Sequence, residues 1–157
     1  MSNDFTSLAS NGFDGFGAVP GVVVGQAFAN RRALADARVH RPLQAGICGI
    51  RERGAESVLV SGGYEDDRDH GDEIVFTGQG GRGPDTDRQV EHQRFERGNA
   101  ALVTSMTTGR PVRVVRAEGG GRRPAYRYGG LFRVEECWFE RGRSGFLVCR
   151  YRLVLPG

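Results

Sequence analysis

The residues best suited to chemistry lie at positions 61–71, where glycines and a tyrosine precede a cluster of carboxylates, an arginine and a histidine. Phe76 and Thr77 follow at the end of a short apolar run. A carboxylate accepts hydrogen bonds from the exocyclic amine of cytosine, and aromatic rings can stack on both faces of the base. These residue types therefore suit a pocket for a planar polar ring. From the residues alone, a solvated acidic turn is the simpler alternative and stays open.

The composition is compatible with a nucleic-acid-binding domain but does not require one. A chain of 157 residues can bury its own core without disulfides or metal. The net charge is +3, and all 22 cationic residues are arginine. The planar arginine side chain suits phosphate and guanine contacts, although a biased genomic base composition gives the same result.

The three cysteines, Cys48, Cys137 and Cys149, lack metal-ligand spacing and leave one residue unpaired in any disulfide scheme. They indicate reduced core residues. No stretch approaches the roughly 18 apolar residues of a membrane span, and the first residues lack the features of a signal peptide. We therefore expect a cytoplasmic protein that uses no membrane, no cofactor and no metal.

The first 17 residues show no hydrophobic period. They predict a flexible leader, followed by one domain at residues 18–157. Three aromatic residues of the leader, Phe5, Phe13 and Phe16, are candidates to lie against the domain. We assign no function to this segment.

Short elements surround the candidate pocket. Residues 19–24 predict an extended run, and residues 28–37, rich in alanine and arginine, predict a helix or a helical turn. Residues 45–51 and 57–60 predict a hairpin, and residues 73–77 predict a third strand.

The best helical pattern covers Val90 to about Met106, because apolar residues recur there on one helical face. Beyond it, residues 112–116, 131–140 and 146–154 predict strands, with a hairpin turn at residues 141–145 between the last two. The alternation needed for a parallel βαβ sheet is missing. We therefore predict an α+β fold of mainly antiparallel strands, as a curled sheet or barrel with flanking helices.

Six motifs occur in an order that resembles the SRA domain, the SET- and RING-associated family that reads modified cytosine in DNA. They are Val39-His40-Arg41-Pro42 with Ala45-Gly46-Ile47, Gly62-Gly63-Tyr64-Glu65-Asp66-Asp67, Thr77-Gly78-Gln79-Gly80-Gly81, Arg97-Gly98-Asn99, Pro111-Val112-Arg113-Val114-Val115-Arg116 and Ser144-Gly145-Phe146-Leu147-Val148. Each motif alone is weak, but six in order across residues 17–155 are specific. The resemblance implies a PUA-like β-barrel and a pocket that receives a cytosine swung out of the duplex.

The resemblance also implies which residues form the base pocket. They are Ser61, Gly62, Gly63, Tyr64, Asp67, Phe76, Thr77 and Gln79. The two rings would sandwich the base, Asp67 and the Thr77 carbonyl would accept from its amine, and the glycine turn would meet its O2 edge. Two acceptors favour cytosine over thymine, because the thymine carbonyl would leave them unpaired at about 1–3 kcal/mol each. Gln79 stands where some relatives line the space for the methyl group with a serine.

Two segments are implied to approach the duplex from opposite grooves. Their candidate contact residues are Arg38, Val39, His40, Arg82, Arg88 and Gln89. Val39 matches the position that inserts into the space left by the base, and the segment 79–89 supplies arginines for base edges or phosphates. The Asn-Lys-Arg finger of vertebrate relatives is absent, since Asp87-Arg88-Gln89 is the nearest sequence. A strict preference for hemimethylated DNA is therefore not implied.

Other charged residues keep two interpretations. Asp66, Asp69 and His70 fit backbone capping in a turn better than chemistry. The densest arginine stretch either contacts the DNA backbone or forms a solvated strand face. That stretch contains Arg113, Arg116, Arg122, Arg123 and Arg127. The motif Arg97-Gly98-Asn99 is expected to serve packing.

We expect double-stranded DNA with modified cytosine, methylated or hydroxymethylated, as the partner and no catalytic residues in this chain. Prokaryotic SRA domains often precede an HNH nuclease domain. The resemblance therefore implies the recognition domain of a modification-dependent restriction endonuclease, with dimerisation through a fused nuclease domain left open. Two alternatives remain: a metal-dependent nuclease that uses the acidic cluster at residues 65–70, and an RNA- or protein-binding PUA-like module.

Overall fold

The structure is a computed structural model that describes residues 12–60, 67–83, 88–118 and 125–157. Within these ranges, eight strands form one mixed sheet that is not closed, accompanied by two helices. The strands are β1 (Ala27–Phe28), β2 (Ile47–Ile50), β3 (Gly54–Val60), β4 (Arg68–Asp69), β5 (Glu73–Thr77), β6 (Val112–Glu118), β7 (Ala125–Arg141) and β8 (Leu147–Val154). The helices are α1 (Arg31–Asp36) and α2 (Gly98–Thr108). Neither of these described helices is long and apolar enough to cross a membrane.

The sheet is organised around β7. The strand order is β2-β3-β6-β7-β8-β5-β4, and β1 also pairs with β7. Residues 125–132 of the 17-residue β7 pair with β6, and residues 133–141 pair with β8. A register shift between Val134 and Glu136 interrupts the pairing with β8. Among the described strand pairs, β3–β6 alone is parallel. The predicted α+β class with mainly antiparallel pairing is confirmed.

The buried apolar residues form two clusters. The larger cluster joins the sheet to α2 and includes Phe76, Leu102 and Tyr151. The smaller cluster surrounds α1 and includes Leu34 and Phe13. The expectation that an aromatic residue of the leader lies against the domain is confirmed for Phe13, whereas the boundary after residue 17 stays a prediction.

Several strands match their predicted positions. The strand at Glu73–Thr77 is confirmed, and β2 and β3 form the predicted antiparallel hairpin. The turn between β7 and β8 is closed by the Gly142 N–H, which donates to the Phe146 carbonyl at 2.9 Å. The predicted extended run at residues 19–24 is wrong. Two turns occupy this region, with hydrogen bonds from Val22 N–H to Val19 O (3.1 Å) and from Gln26 N–H to Val23 O (3.0 Å).

The helix predicted from Val90 begins only at Gly98. The preceding residues pair with the start of β8 instead, because Gln93 N–H donates to the Leu147 carbonyl at 2.8 Å. This bond uses a backbone donor that a helix would need. Phe95 packs against the larger cluster from this irregular segment, which explains why its spacing resembled a helical face.

Candidate nucleic-acid interface

A cavity of about 290 Å³ lies where the end of β5 meets the segment that precedes β2. Cavities that hold small molecules measure roughly 300–1,000 Å³, so this space suits one small planar group. Four predicted base-pocket residues line it, namely Asp67, Phe76, Thr77 and Gln79. The remaining described lining consists of Arg31, Gln44, Ala45, Gly46, Ile47, Leu59, Arg82 and Tyr126. The fold therefore brings together all the base-pocket residues that the structure describes.

The Asp67 carboxylate is oriented by the backbone of β5. Its Oδ1 accepts a hydrogen bond from the Thr77 N–H at 2.7 Å. Because a backbone amide holds one oxygen, the carboxylate keeps a fixed direction beside Phe76 and Thr77. An ionised carboxylate only accepts hydrogen bonds, so it suits a donor group, such as an amine, that enters the cavity.

Phe76 and Thr77 form the wall at the end of the strand. Phe76 is 3% exposed, and its ring centroid lies 6.3 Å from that of Tyr151, so core packing fixes the ring. Thr77 is 1% exposed, and its hydroxyl has no hydrogen-bond partner in the described part of the chain. A rigid aromatic wall beside polar atoms suits a planar, polar ligand.

The other half of the predicted base pocket lies outside the described residues. Ser61, Gly62, Gly63 and Tyr64 all fall within residues 61–66. The second ring of the sandwich and the contacts to the O2 edge therefore stay predictions.

Two buried amide side chains hold the turn that follows β5. Asn99 Oδ1 accepts from the Gln79 N–H at 2.9 Å, and its Nδ2 donates to the Gln79 carbonyl at 2.8 Å. Gln93 Nε2 donates to the carbonyls of Gly78 (2.8 Å) and Gly80 (3.2 Å). Asn99 was expected to serve packing and Gln93 was not predicted as a site residue, although both fix the turn that carries Gln79 to the cavity.

Replacing Asn99 by alanine should loosen this turn. The change removes the partners of both backbone groups of Gln79, and unpaired buried groups cost about 1–3 kcal/mol. We expect a lower melting temperature together with about tenfold weaker binding to a modified duplex, measured by fluorescence anisotropy. Ser105→Ala is the matched control, because Ser105 is also buried in α2 but bonds the Ala55 N–H, away from the turn. Equal losses of binding in the two variants would contradict the assigned role.

The wall opposite the strand end is held by Arg31 and His40. The Arg31 guanidinium donates to the carbonyls of Pro42 (2.9 Å) and Ala45 (2.8 Å). His40 Nε2–H donates to the same Ala45 carbonyl at 2.8 Å, and its Nδ1 accepts from the Ser57 hydroxyl at 2.7 Å. Burial lowers the pKa of His40 to about 4, so the ring is neutral at pH 7 and only Nε2 carries a proton.

The stability of the domain should therefore depend on His40 at acidic pH. The folded-state pKa of about 4 lies below the ordinary value of 6.5, so only the unfolded chain takes up a proton between these values. The contribution of His40 to the free energy of unfolding is therefore complete above pH 6.5. It falls as the pH drops through this window, by about 2 kcal/mol between pH 7 and pH 4.5. Urea unfolding at the two pH values should give a smaller difference for His40→Gln than for the native chain. The same difference in both proteins would contradict the assignment.

The burial of Val39 and His40 is at odds with their predicted contact with DNA. Both side chains are fully buried. Arg38 has a left-handed backbone (φ 64°), which turns the chain so that Val39 N–H donates to the Leu34 carbonyl at 3.0 Å. Arg38 itself is exposed, with its guanidinium 4.9 Å from the centre of the Phe13 ring. We therefore keep Arg38 as a candidate contact and remove Val39 and His40 from the interface.

Arg82 and Gln89 lie opposite each other in a short antiparallel stem. The Gly83 N–H donates to the Arg88 carbonyl at 3.1 Å, and residues 84–87 lie outside the described ranges. Arg82 lines the cavity and Arg88 is exposed. This stem carries the three predicted contact residues of the second segment, and their contact with DNA stays a prediction.

The Arg113 side chain is buried and holds backbone carbonyls of other segments. It is fully buried and donates to the carbonyls of Gly15 (2.6 Å), Gly17 (2.8 Å) and Val39 (3.0 Å). The carboxylate of Glu56 lies 3.9 Å away. For Arg113, the interpretation as a DNA-backbone contact is therefore wrong.

Two further arginines of this stretch are paired with carboxylates. Arg116 Nε donates to Asp69 Oδ2 at 2.6 Å, and Arg127 Nε donates to Glu118 Oε2 at 2.9 Å. These pairs favour a solvated strand face and a structural role for Asp69. Arg122 and Arg123 lie outside the described residues. Within the described ranges, no group of three or more His, Cys, Asp or Glu residues is arranged to hold a metal ion.

The mixed sheet and its cavity define a domain of the PUA-like fold. The chain belongs to the SAD/SRA domain family, whose model matches residues 15–156. Among curated relatives, "Histone-lysine N-methyltransferase family member SUVH9" of Arabidopsis thaliana is 46% identical over 147 residues, which cover 87% of this chain and 22% of that protein. The chain spans only about a fifth to a quarter of the length of the curated relatives that it matches.

Solved structures share this fold. The modification-dependent restriction endonuclease TagI superposes with a TM-score of 0.85 at 44% identity, over 90% of this chain and 52% of that chain. The SRA domain of SUVH5, solved with fully methylated CG DNA, gives a TM-score of 0.76 at 38% identity, over 90% of this chain and 95% of that chain. The SUVH5 domain has also been solved with hydroxymethylated and hemimethylated CG DNA.

Proposed function

We propose that this chain binds double-stranded DNA containing 5-methylcytosine or 5-hydroxymethylcytosine and receives the modified base in the cavity at the end of β5. The observation that carries the proposal is the Asp67 carboxylate, oriented by the Thr77 N–H beside the Phe76 ring. The complexes of the SUVH5 domain with methylated and hydroxymethylated DNA support it.

The cavity offers interactions that can offset the extraction of a base. Unpairing and unstacking cost a few kcal/mol. Asp67 and the Thr77 carbonyl supply two acceptors for the exocyclic amine, and Phe76 supplies an aromatic face. Thymine presents a carbonyl at the same place and would leave the acceptors unpaired. The arrangement therefore selects cytosine, and the space beside C5 selects the modification.

The duplex would be held by cations around the cavity. Arg82 borders the cavity, while Arg38 and Arg88 are exposed. Phosphate contacts by such residues supply affinity without sequence information and weaken as salt rises. Selectivity is therefore measured as a ratio between duplexes at one ionic strength.

The larger protein is part of the proposal. The likeness to TagI supports a recognition domain of a modification-dependent restriction endonuclease. The proposal places this protein in the prokaryotic cytoplasm. In this proposal an HNH nuclease domain cuts the DNA and provides a dimer contact, and the chain described here supplies no catalytic group.

Competition binding at fixed ionic strength tests the function. Duplexes of one sequence would carry cytosine, 5-methylcytosine, 5-hydroxymethylcytosine or thymine at a single position, and fluorescence anisotropy would give each dissociation constant. We expect methylcytosine to bind about three- to tenfold more tightly than cytosine, because burial of one methyl group contributes about 1 kcal/mol. The thymine duplex should bind more weakly than any of the three cytosine duplexes. Equal affinity for all four duplexes would refute the proposal, and stronger binding of single-stranded RNA would favour the RNA-binding alternative.

A further inference from the structure

Gln79 lines two cavities. It lines the base cavity and also a second cavity of about 500 Å³, which lies against the segment before α2. Its carboxamide lies against Gly98, the first residue of α2, because a Cβ atom built on Gly98 would be 2.9 Å from Gln79 Nε2. The Gln79 carboxamide thus occupies space that is open because Gly98 has no side chain.

The backbone of Gln79 cannot easily move away from Gly98. Asn99 holds both its N–H and its carbonyl, at 2.9 and 2.8 Å. Gln93 holds the carbonyls of the glycines on either side. A group added at position 98 would therefore displace the flexible side chain of Gln79 rather than the turn.

A second neighbour of Gly98 is more rigid. Ile47 Cβ and Cγ2 would lie 3.1 and 3.2 Å from a Cβ at position 98, and Ile47 pairs with Val58 in the β2–β3 hairpin. Ile47 also lines the base cavity. Both neighbours of Gly98 are thus part of the cavity wall, and the nearer, flexible carboxamide is the one that would move.

The 5-substituent of a bound cytosine would point toward this wall. C5 adjoins the ring carbon that carries the amine, and the amine is directed at Asp67 and the Thr77 carbonyl in the proposed mode. Along the same strand end, Gln79 is the next lining residue after Thr77. The position of its carboxamide therefore controls the space beside C5.

We infer that Gly98 is a specificity-determining residue. It lets the Gln79 carboxamide lie against α2 and so leaves room in the base cavity for a 5-substituent larger than methyl, such as hydroxymethyl. This inference rests on the proposed function and names the substituent that the same site admits.

The test is a double-mutant cycle with Gly98→Ala, Gln79→Ala and the double variant. Each protein is titrated with duplexes carrying cytosine, 5-methylcytosine or 5-hydroxymethylcytosine, and its melting temperature is recorded. Gly98→Ala should lower the affinity for hydroxymethylcytosine relative to methylcytosine by about tenfold, the effect expected of an overpacked contact. The double variant should have the same ratio of hydroxymethylcytosine to methylcytosine affinity as Gln79→Ala, because neither protein has a carboxamide to displace. Alanine is favoured over glycine within a helix, which limits the effect on folding.

Two results would overturn the inference while leaving the proposed function intact. One is a Gly98→Ala variant that prefers methylcytosine over cytosine normally and keeps the native ratio of hydroxymethylcytosine to methylcytosine affinity. This result is expected if the carboxamide moves into the second cavity. The other is a lowered ratio that the double variant retains. If Gly98→Ala does not fold, the inference is also overturned when Gln79→Ala and the double variant differ in their ratio of hydroxymethylcytosine to methylcytosine affinity. A native chain without preference for modified DNA would overturn both proposals.

Discussion

Replacing Asp67 by asparagine should weaken binding to a methylcytosine duplex by about 10- to 100-fold, because a hydrogen bond to a charged group contributes about 1.5–3 kcal/mol. Asparagine retains a carbonyl oxygen for the Thr77 N–H, which Asp67 Oδ1 now engages at 2.7 Å, so the fold should persist. Its amide nitrogen is a donor and would oppose the donor amine of cytosine. Anisotropy titrations with methylcytosine and thymine duplexes would show the preference for methylcytosine over thymine disappear.

The control for this variant is Asp69→Asn, two residues away. Asp69 is paired with Arg116 at 2.6 Å and does not line the cavity in the described residues. Both substitutions remove one negative charge, so their general electrostatic effects on DNA binding are similar. Asp69→Asn should therefore keep the selectivity ratio. A ratio that survives in Asp67→Asn would contradict the role of Asp67 as the amine acceptor.

Replacing Arg113 by leucine should destabilise the domain by about 3–5 kcal/mol, because it leaves buried groups without their partner. Arg113 is fully buried, lies 3.9 Å from the Glu56 carboxylate and holds carbonyls of Gly15 and Gly17. For a domain of this size, the melting temperature should fall by about 10 °C. Calorimetry or thermal denaturation would measure the change.

Arg32→Leu is the matched control for Arg113. Arg32 pairs with Asp36 at 3.4 Å on the surface of α1, and exposed pairs of this kind contribute little. A second measurement separates structure from DNA contact, because removal of a phosphate-binding arginine lowers the salt dependence of binding by about one unit of slope. Arg113→Leu should leave that slope unchanged. A stable variant with a reduced slope would restore Arg113 to the DNA interface.

The parts of the fold that sequence reasoning predicted are those encoded by local patterns. The strand at Glu73–Thr77 alternates side chains between the two faces of the sheet, and its bounds were predicted as observed. The hairpin of β2 and β3 has its turn signal within the same short segment. Both depend on neighbours in sequence, so no knowledge of distant contacts was needed.

The positioning groups were not predictable in this way. Asn99 holds Gln79 across 20 positions, and Arg113 reaches the carbonyl of Gly15 across 98 positions. Local periodicity carries no information on such contacts. The glutamine that holds the turn, Gln93, sits in a segment whose apolar spacing resembled a helix, and the β8 edge engages its backbone instead.

The order of the motifs predicted the position of the site better than it predicted the role of each residue. It placed Asp67, Phe76, Thr77 and Gln79 in one pocket, and the described structure has all four around one cavity. It also suggested insertion for Val39, which the left-handed backbone at the preceding residue turns into the core. A motif gives the order of residues, whereas burial depends on the local backbone and on tertiary packing.

A crystal structure of the chain with a duplex containing one 5-methylcytosine tests the central claim most directly. We expect the modified base outside the helical stack and inside the cavity, with its amine within about 3 Å of the Asp67 carboxylate. Its ring should lie against Phe76. A bound duplex with every base stacked and the Asp67 carboxylate remote from the DNA would contradict the account.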